Sequence, residues 1–221
     1  MVKHNGFFDY LTQMEKNLFI IFICALITSC SSTKNISRSN FSKPQIQLIT
    51  SADTLTPMRV FKINTKNDSL LLRKKSSAIK ANPKDMVLQR FVKRLYATVT
   101  DSMSMGVGIA APQVGVLKNI VWVQRLDKEN LPFEVYLNPK ITKYSEEKQR
   151  VREGCLSIPD RSEILNSRAQ SITIEYDTMQ AEHKTETVEG FTSVIFQHEI
   201  DHINGILYLD HLEKEIRDAK N

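Results

Sequence analysis

The chain has 221 residues, 41% hydrophobic and 25% charged, with a formal net charge of +5. That balance excludes a disordered or fibrous chain and fits one ordinary domain with extensions and a real core. Basic residues dominate before Thr100 and acidic ones after Asp101, but no aromatics are interleaved with the basic residues, so no nucleic-acid partner is expected.

The N-terminus differs in kind from the rest. Asn17 to Thr28 is an apolar run, preceded by Lys16 and followed by Ser29-Cys30. It is too short for a comfortable membrane span and reads as a secretory signal. The stretch Ile27-Thr28-Ser29-Cys30 resembles a bacterial lipoprotein signal. Residues 1–30 are therefore expected to be a signal peptide, with Cys30 lipidated as the mature first residue. The protein is then expected in the cell envelope, lipid-anchored to the membrane on the periplasmic or outer-membrane side. An uncleaved anchor and a cytoplasmic protein are the alternatives, and Met14 is an alternative start to Met1. Residues 31–55, which begin rich in Ser, Asn and Lys, are expected to be a flexible tether, leaving 56–221 as the functional domain.

Asn82-Pro83 with Asp85 marks a helix start. Val87, Leu88, Phe91, Val92, Leu95, Tyr96 and Val99 then recur at helical spacing. Gly106-Val107-Gly108-Ile109-Ala110-Ala111-Pro112-Gln113 follows. Its small residues let another backbone come close, and Gln113 offers an amide donor to a developing oxyanion. It lacks the third glycine of a dinucleotide fingerprint and follows a helix, not a strand. Asn119 to Gln124 and Phe133 to Leu137 read as strands, and Ser171 to Tyr176 as a half-buried one, with Ile172, Ile174 and Tyr176 alternating. Phe191 to Asn204 reads as a helix that Gly205 ends. Strands around a central helix imply an α+β fold.

That last helix carries His198-Glu199-Ile200-Asp201-His202. Residues four apart share a helix face, so both imidazoles can hold one metal ion with Glu199 beside them as a base. A catalytic site needs a third ligand and an open position. Cys155, in Glu153-Gly154-Cys155-Leu156-Ser157-Ile158-Pro159, is the candidate, because Cys24 and Cys30 lie in the N-terminal run. A buried small hydrophobe is the bland alternative for Cys155. A thiolate and two imidazoles suit zinc, iron or nickel.

Taken together, GVGIAAPQ, EGCLSIP and QHEIDHINGILYLD resemble the three motifs of the peptide deformylase family, in the family's order. Leu71-Leu72-Arg73-Lys74-Lys75 is similar to that family's N-terminal strand segment, so the resemblance covers about residues 60–215. Ser193, Ile203 and His211 stand where the family often has Ala, Leu and Arg. The resemblance implies mixed, largely antiparallel sheets around the central metal-binding helix. It also implies a hydrolase that removes the formyl group from N-formyl-methionyl peptides with one divalent metal ion, Fe2+ or Zn2+. Its ligands match Cys155, His198 and His202, its general base Glu199, and its oxyanion donors the Gln113 side chain and the Leu156 backbone N–H. The substrate is expected to lie along Val107 and Gly108, with Val107, Val151, Val194 and Ile195 forming its side-chain pocket or, equally, ordinary core. Glu153 either orients a site group or makes a surface salt bridge. A monomer is expected. Two other readings compete: an envelope metallopeptidase or amidase reusing the site on another substrate, and a non-catalytic envelope binding protein.

Overall fold

The computed structural model describes residues 40–102 and 106–220. The expected signal peptide, Cys30 and the first part of the tether lie outside them. No helix among the described residues is long and apolar enough to cross a membrane.

The tether is not irregular up to residue 55. Helix α1 runs over Lys43–Thr50. Ser42 and Gln45 form a reciprocal capping box at its start, and a proline stands in its first turn. Phe41 and Ile49 are buried, and Phe41 meets the Phe91 ring edge-on at 5.8 Å. Two apolar anchors and a cap thus override the polar composition that indicated a linker. A second correction concerns Leu71-Leu72-Arg73-Lys74-Lys75, which is not a strand. Helix α2 spans Lys66–Leu72, with Asp68 in its first turn and Arg73 as C-cap.

Helix α3 covers Met86–Val99. Asp85 is its N-cap, accepting from the backbone N–H groups of Val87 and Leu88 at 3.0 and 3.1 Å. Its buried face is Leu88, Phe91, Val92, Leu95 and Val99. Among the described residues seven strands follow: β1 Gly108–Ala110, β2 Ile120–Gln124, β3 Phe133–Tyr144, β4 Lys148–Cys155, β5 Ile158–Ala169, β6 Ser171–Asp177 and β7 His183–Glu189. A 3-10 turn, Ala111–Val114, links β1 to the segment before β2. Helix α4, Gly190–Ile203, and helix α5, Tyr208–Asp218, complete the fold.

The strands form a five-stranded sheet ordered β1-β2-β3-β6-β7 and a separate β4–β5 hairpin. All these pairings are antiparallel. An isolated parallel bridge joins Ser77 to Lys118. The fold is α+β, as the strands around a central helix imply, with largely antiparallel sheets, as the family resemblance implies. Side chains alternate across a sheet, so its two faces belong to two cores. Ile109, Ile120 and Leu137 pack with the apolar face of α3. Ala110, Val121, Val123, Ile172, Ile174 and Val188 pack with Ile195, Phe196, Ile200 and Ile203 of α4. Eleven of the fourteen α4 residues are buried. The hairpin lies against α4 and α5, and its Ile158 and Leu165 pack with Leu207 and Tyr208 at the start of α5. Gln197 of α4 fixes it there, accepting from Ala169 N–H and donating to Ala169 C=O, both at 3.0 Å.

Candidate metal centre and cleft

Helix α4 presents His198 and His202 one turn apart, and the end of β4 brings Cys155 to them. The three ligand atoms lie within 4.8 Å of one another. Cys155 Sγ is 3.2 Å from His202 Nε2. His198 Nδ1 lies 2.8 Å from Glu153 Oε2, which leaves Nε2 to face the cluster. Such an outer partner fixes both tautomer and ring orientation. Glu153 is buried beneath the cluster, not at the surface. Arg168 grips it through Nε–Oε1 at 2.7 Å and Nη2–Oε2 at 2.9 Å. Arg168 Nη1 then meets Asp201 Oδ2 at 2.7 Å, and His211 Nε2 stands 2.8 Å from the same oxygen. The pairing of β4 with β5 puts Glu153 and Arg168 on one buried face, although they are fifteen residues apart.

The electrostatics favour positive charge at the centre of the cluster. Burial opposes the Cys155 thiolate, but the His202 and His198 imidazoles outweigh it and hold the thiol well below its ordinary range. Burial also opposes charge on His198, yet Cys155 and Glu153 raise it well above the usual imidazole value. Burial alone would raise the Glu153 carboxyl. Hydrogen bonds from His198 and Arg168 outweigh that and hold it at about 2. A half-buried thiolate beside two imidazoles on one helix face is the donor set of a divalent cation such as zinc or iron, so the residues present fit a metal.

Glu199 follows His198 on the same helix. Burial pushes its carboxyl up to about 7, and its Oε2 has no hydrogen-bond partner among the described residues. Across from it lies Gly108. A Cβ there would stand 2.6 Å from Glu199 Oε1 and 2.8 Å from Ile195 Cγ2. Strand alternation points residue 108 at α4, so only glycine leaves room for the carboxylate. Gln113 is almost wholly buried. Its Oε1 accepts from Ala110 N–H at 2.8 Å, which turns Nε2 toward Ser157 Oγ at 3.3 Å and Cys155 Sγ at 3.7 Å.

A cleft of about 470 Å³ opens onto these groups, lined by Val107, Gly108, Gln113, Cys155, Leu156, His198 and Glu199. Val194 and Ile195 form part of its wall. Val151, expected with them, is not a lining residue; it pairs with Leu165 farther along the hairpin. The wall also contains Arg152, Ile158, Pro159, Arg161 and Phe191, none of which the sequence singled out for the pocket. Their places depend on how the hairpin folds over α4, although Ile158 and Pro159 belong to a motif already in view.

Comparison with known proteins points one way. The family described as Polypeptide deformylase matches residues 60–218. A peptide deformylase of Desulforudis audaxviator is 37% identical over 155 residues, covering 69% of this chain and 94% of that one. Among solved structures, a class I type b peptide deformylase from Acinetobacter baumannii with Met-Ala-Ser bound superposes with a TM-score of 0.61 at 32% identity, over 71% of this chain and 98% of that one. A peptide deformylase from Thermotoga maritima gives 0.61 at 28% identity, over 70% and 97%.

Proposed function

The chain belongs to the peptide deformylase family, metal-dependent hydrolases that remove the formyl group from N-formyl peptides, and from that premise we propose how its residues divide the work. Cys155, His198 and His202 hold one divalent ion. When bound there, the ion acts as a Lewis acid that polarises the formyl carbonyl and acidifies water. Glu199 takes the proton of the attacking water and delivers it to the leaving amine nitrogen. Gln113 Nε2 and the Leu156 N–H donate to the carbonyl oxygen as it gains charge. The substrate runs as an extended strand beside the free edge of β1, its methionine side chain among Val107, Val194 and Ile195. The observation that carries this reading is the buried Glu199 carboxylate, whose Oε2 has no hydrogen-bond partner among the described residues, beside a three-donor cluster at the floor of an open cleft.

The finer proposals rest on sequence. The run ending in Ile27-Thr28-Ser29-Cys30 supports export and lipid attachment at Cys30, with the protein held at the membrane of the cell envelope. There a thiolate holding ferrous iron would be prone to oxidation, which favours zinc over iron. Purified protein beginning after Ser31 should hydrolyse formyl-Met peptides and carry about one metal per chain. Protein that is active without metal would refute the assignment of the cluster. In cells, Cys30→Ser should abolish lipid labelling; unchanged membrane partitioning would count against lipidation.

A further inference from the structure

Only part of the cleft wall is the reacting centre. Its charged lining residues are Arg152, Glu153, Asp160, Arg161 and Glu199. Glu153 is committed to His198 and Arg168, and Glu199 to proton transfer. Arg161 Nε meets Glu163 Oε1 at 2.8 Å. Asp160 sits in the irregular stretch between the pairs Cys155–Ile158 and Gly154–Ser162, at the metal end of the hairpin. Arg152 is different. It is exposed, and its hydrogen bond is from Nη1 to Ser162 Oγ at 3.3 Å. Among the described residues no carboxylate pairs with it. A guanidinium presents a planar fork of donors that matches a carboxylate in geometry.

Its place on β4 supplies a ruler. Arg152 lies three residues before Cys155 on the same strand. A strand rises about 3.3 Å per residue, so the two backbones are about 10 Å apart. A peptide in extended form advances at the same rate. If the peptide that lies beside β1 runs along β4 from Cys155 toward Arg152, then with its formyl group at the cluster its third residue is about level with Arg152. Resting on the function proposed above, we infer that Arg152 is a specificity-determining residue that selects peptides carrying a carboxylate about three residues from the formylated end. That carboxylate is either an acidic side chain or the C-terminus of a short free peptide.

Two substrate pairs separate these sources. One is formyl-Met-Ala-Ala with a free C-terminal carboxylate against its C-terminal amide. The other is amidated formyl-Met-Ala-Glu-Ala-Ala against the same peptide with Gln at the third position. The readout is the ratio of kcat/KM, carboxylate to neutral, within each pair at low salt. An exposed ion pair supports a ratio of about two to five, carried by KM and compressed by added salt. Arg152→Gln should bring the ratio to about one, while Arg152→Lys keeps most of it. A preference in one pair only still supports the inference and names the source. A wild-type ratio of one in both pairs overturns it, and so does a ratio that survives in Arg152→Gln. If wild type cleaves neither member of either pair, the deformylase reading of this chain fails, and this inference fails with it.

Discussion

Gly108 shows how one missing side chain sets the chemistry. Its hydrogen occupies the space between the edge strand and Glu199, where a methyl would press on the carboxylate and on Ile195. Gly108→Ala should therefore fold, keep its metal and lose activity. Displacing a catalytic group by about 1 Å can cost about 10²-fold, so kcat/KM on a formyl-Met peptide should fall by roughly that factor. Wild-type turnover in this variant would show that Glu199 tolerates the shift. Glu199→Gln tests the base itself. Gln is nearly the same size but cannot take the proton, so metal content should hold while formyl hydrolysis falls by about 10²–10⁴-fold; undiminished turnover would refute the role. At this scale much was legible. The ligand His pair and Glu199 are near neighbours on one helix, and a periodicity of 3.6 places them without knowledge of the fold. Glu153 was ambiguous, because its partner Arg168 reaches it only through the β4–β5 pairing. Val151 was misplaced for the same reason.

Among the elements, α3 was the easiest to foresee. Its apolar stripe and its Asp85 start are both local signals, although the helix begins three residues after the proline that marked it. The cap is open to a direct check. Asp85→Ala removes the acceptor for two backbone N–H groups and should cost about 1 kcal/mol of stability, read from denaturant unfolding. A variant as stable as wild type would mean that solvent satisfies those groups equally well. Helix α1 is hard to foresee because its apolar residues are few: Phe41 and Ile49, with half-buried Ile46, reach the core on a surface made by α3 that no sequence window contains. The apolar pattern of β3 ends at Leu137, and the next residue, Asn138, has a φ of 52°. The structure carries the strand past this irregularity because Asn138 binds the backbone of Ile79 on both sides, at 2.8 and 2.7 Å.

At the scale of the whole molecule, an ion pair within the N-terminal segments makes stability depend on pH. Asp68 is buried and takes two hydrogen bonds from Arg59, at 2.6 and 3.0 Å, and one from Lys62 N–H at 3.1 Å. The Arg59 hydrogen bond, with help from Lys62, outweighs burial and holds the carboxyl below its ordinary value. A carboxyl lowered in the folded state adds stability above its unfolded pKa of about 3.9, and loses it as pH falls through the folded value. Arg59 is largely exposed, so screening keeps the contribution near about 1 kcal/mol. Asp68→Asn should then melt about 2–4 °C lower at pH 7, with the gap closing toward pH 3. A gap that stayed constant over that range would assign the loss to packing instead. The other global feature is the margin of the sheet at β1, one of its two edges. A strand with unpaired backbone groups is a template for any extended chain, including another copy of the same protein. Here the strand beside the cleft is only three residues long. Three residues suffice to hold the first few links of a short peptide, but they offer little purchase for stacking one sheet upon the next. The brevity of β1 thus lets the protein keep a sticky edge at its working face while limiting the route from catalysis to fibril.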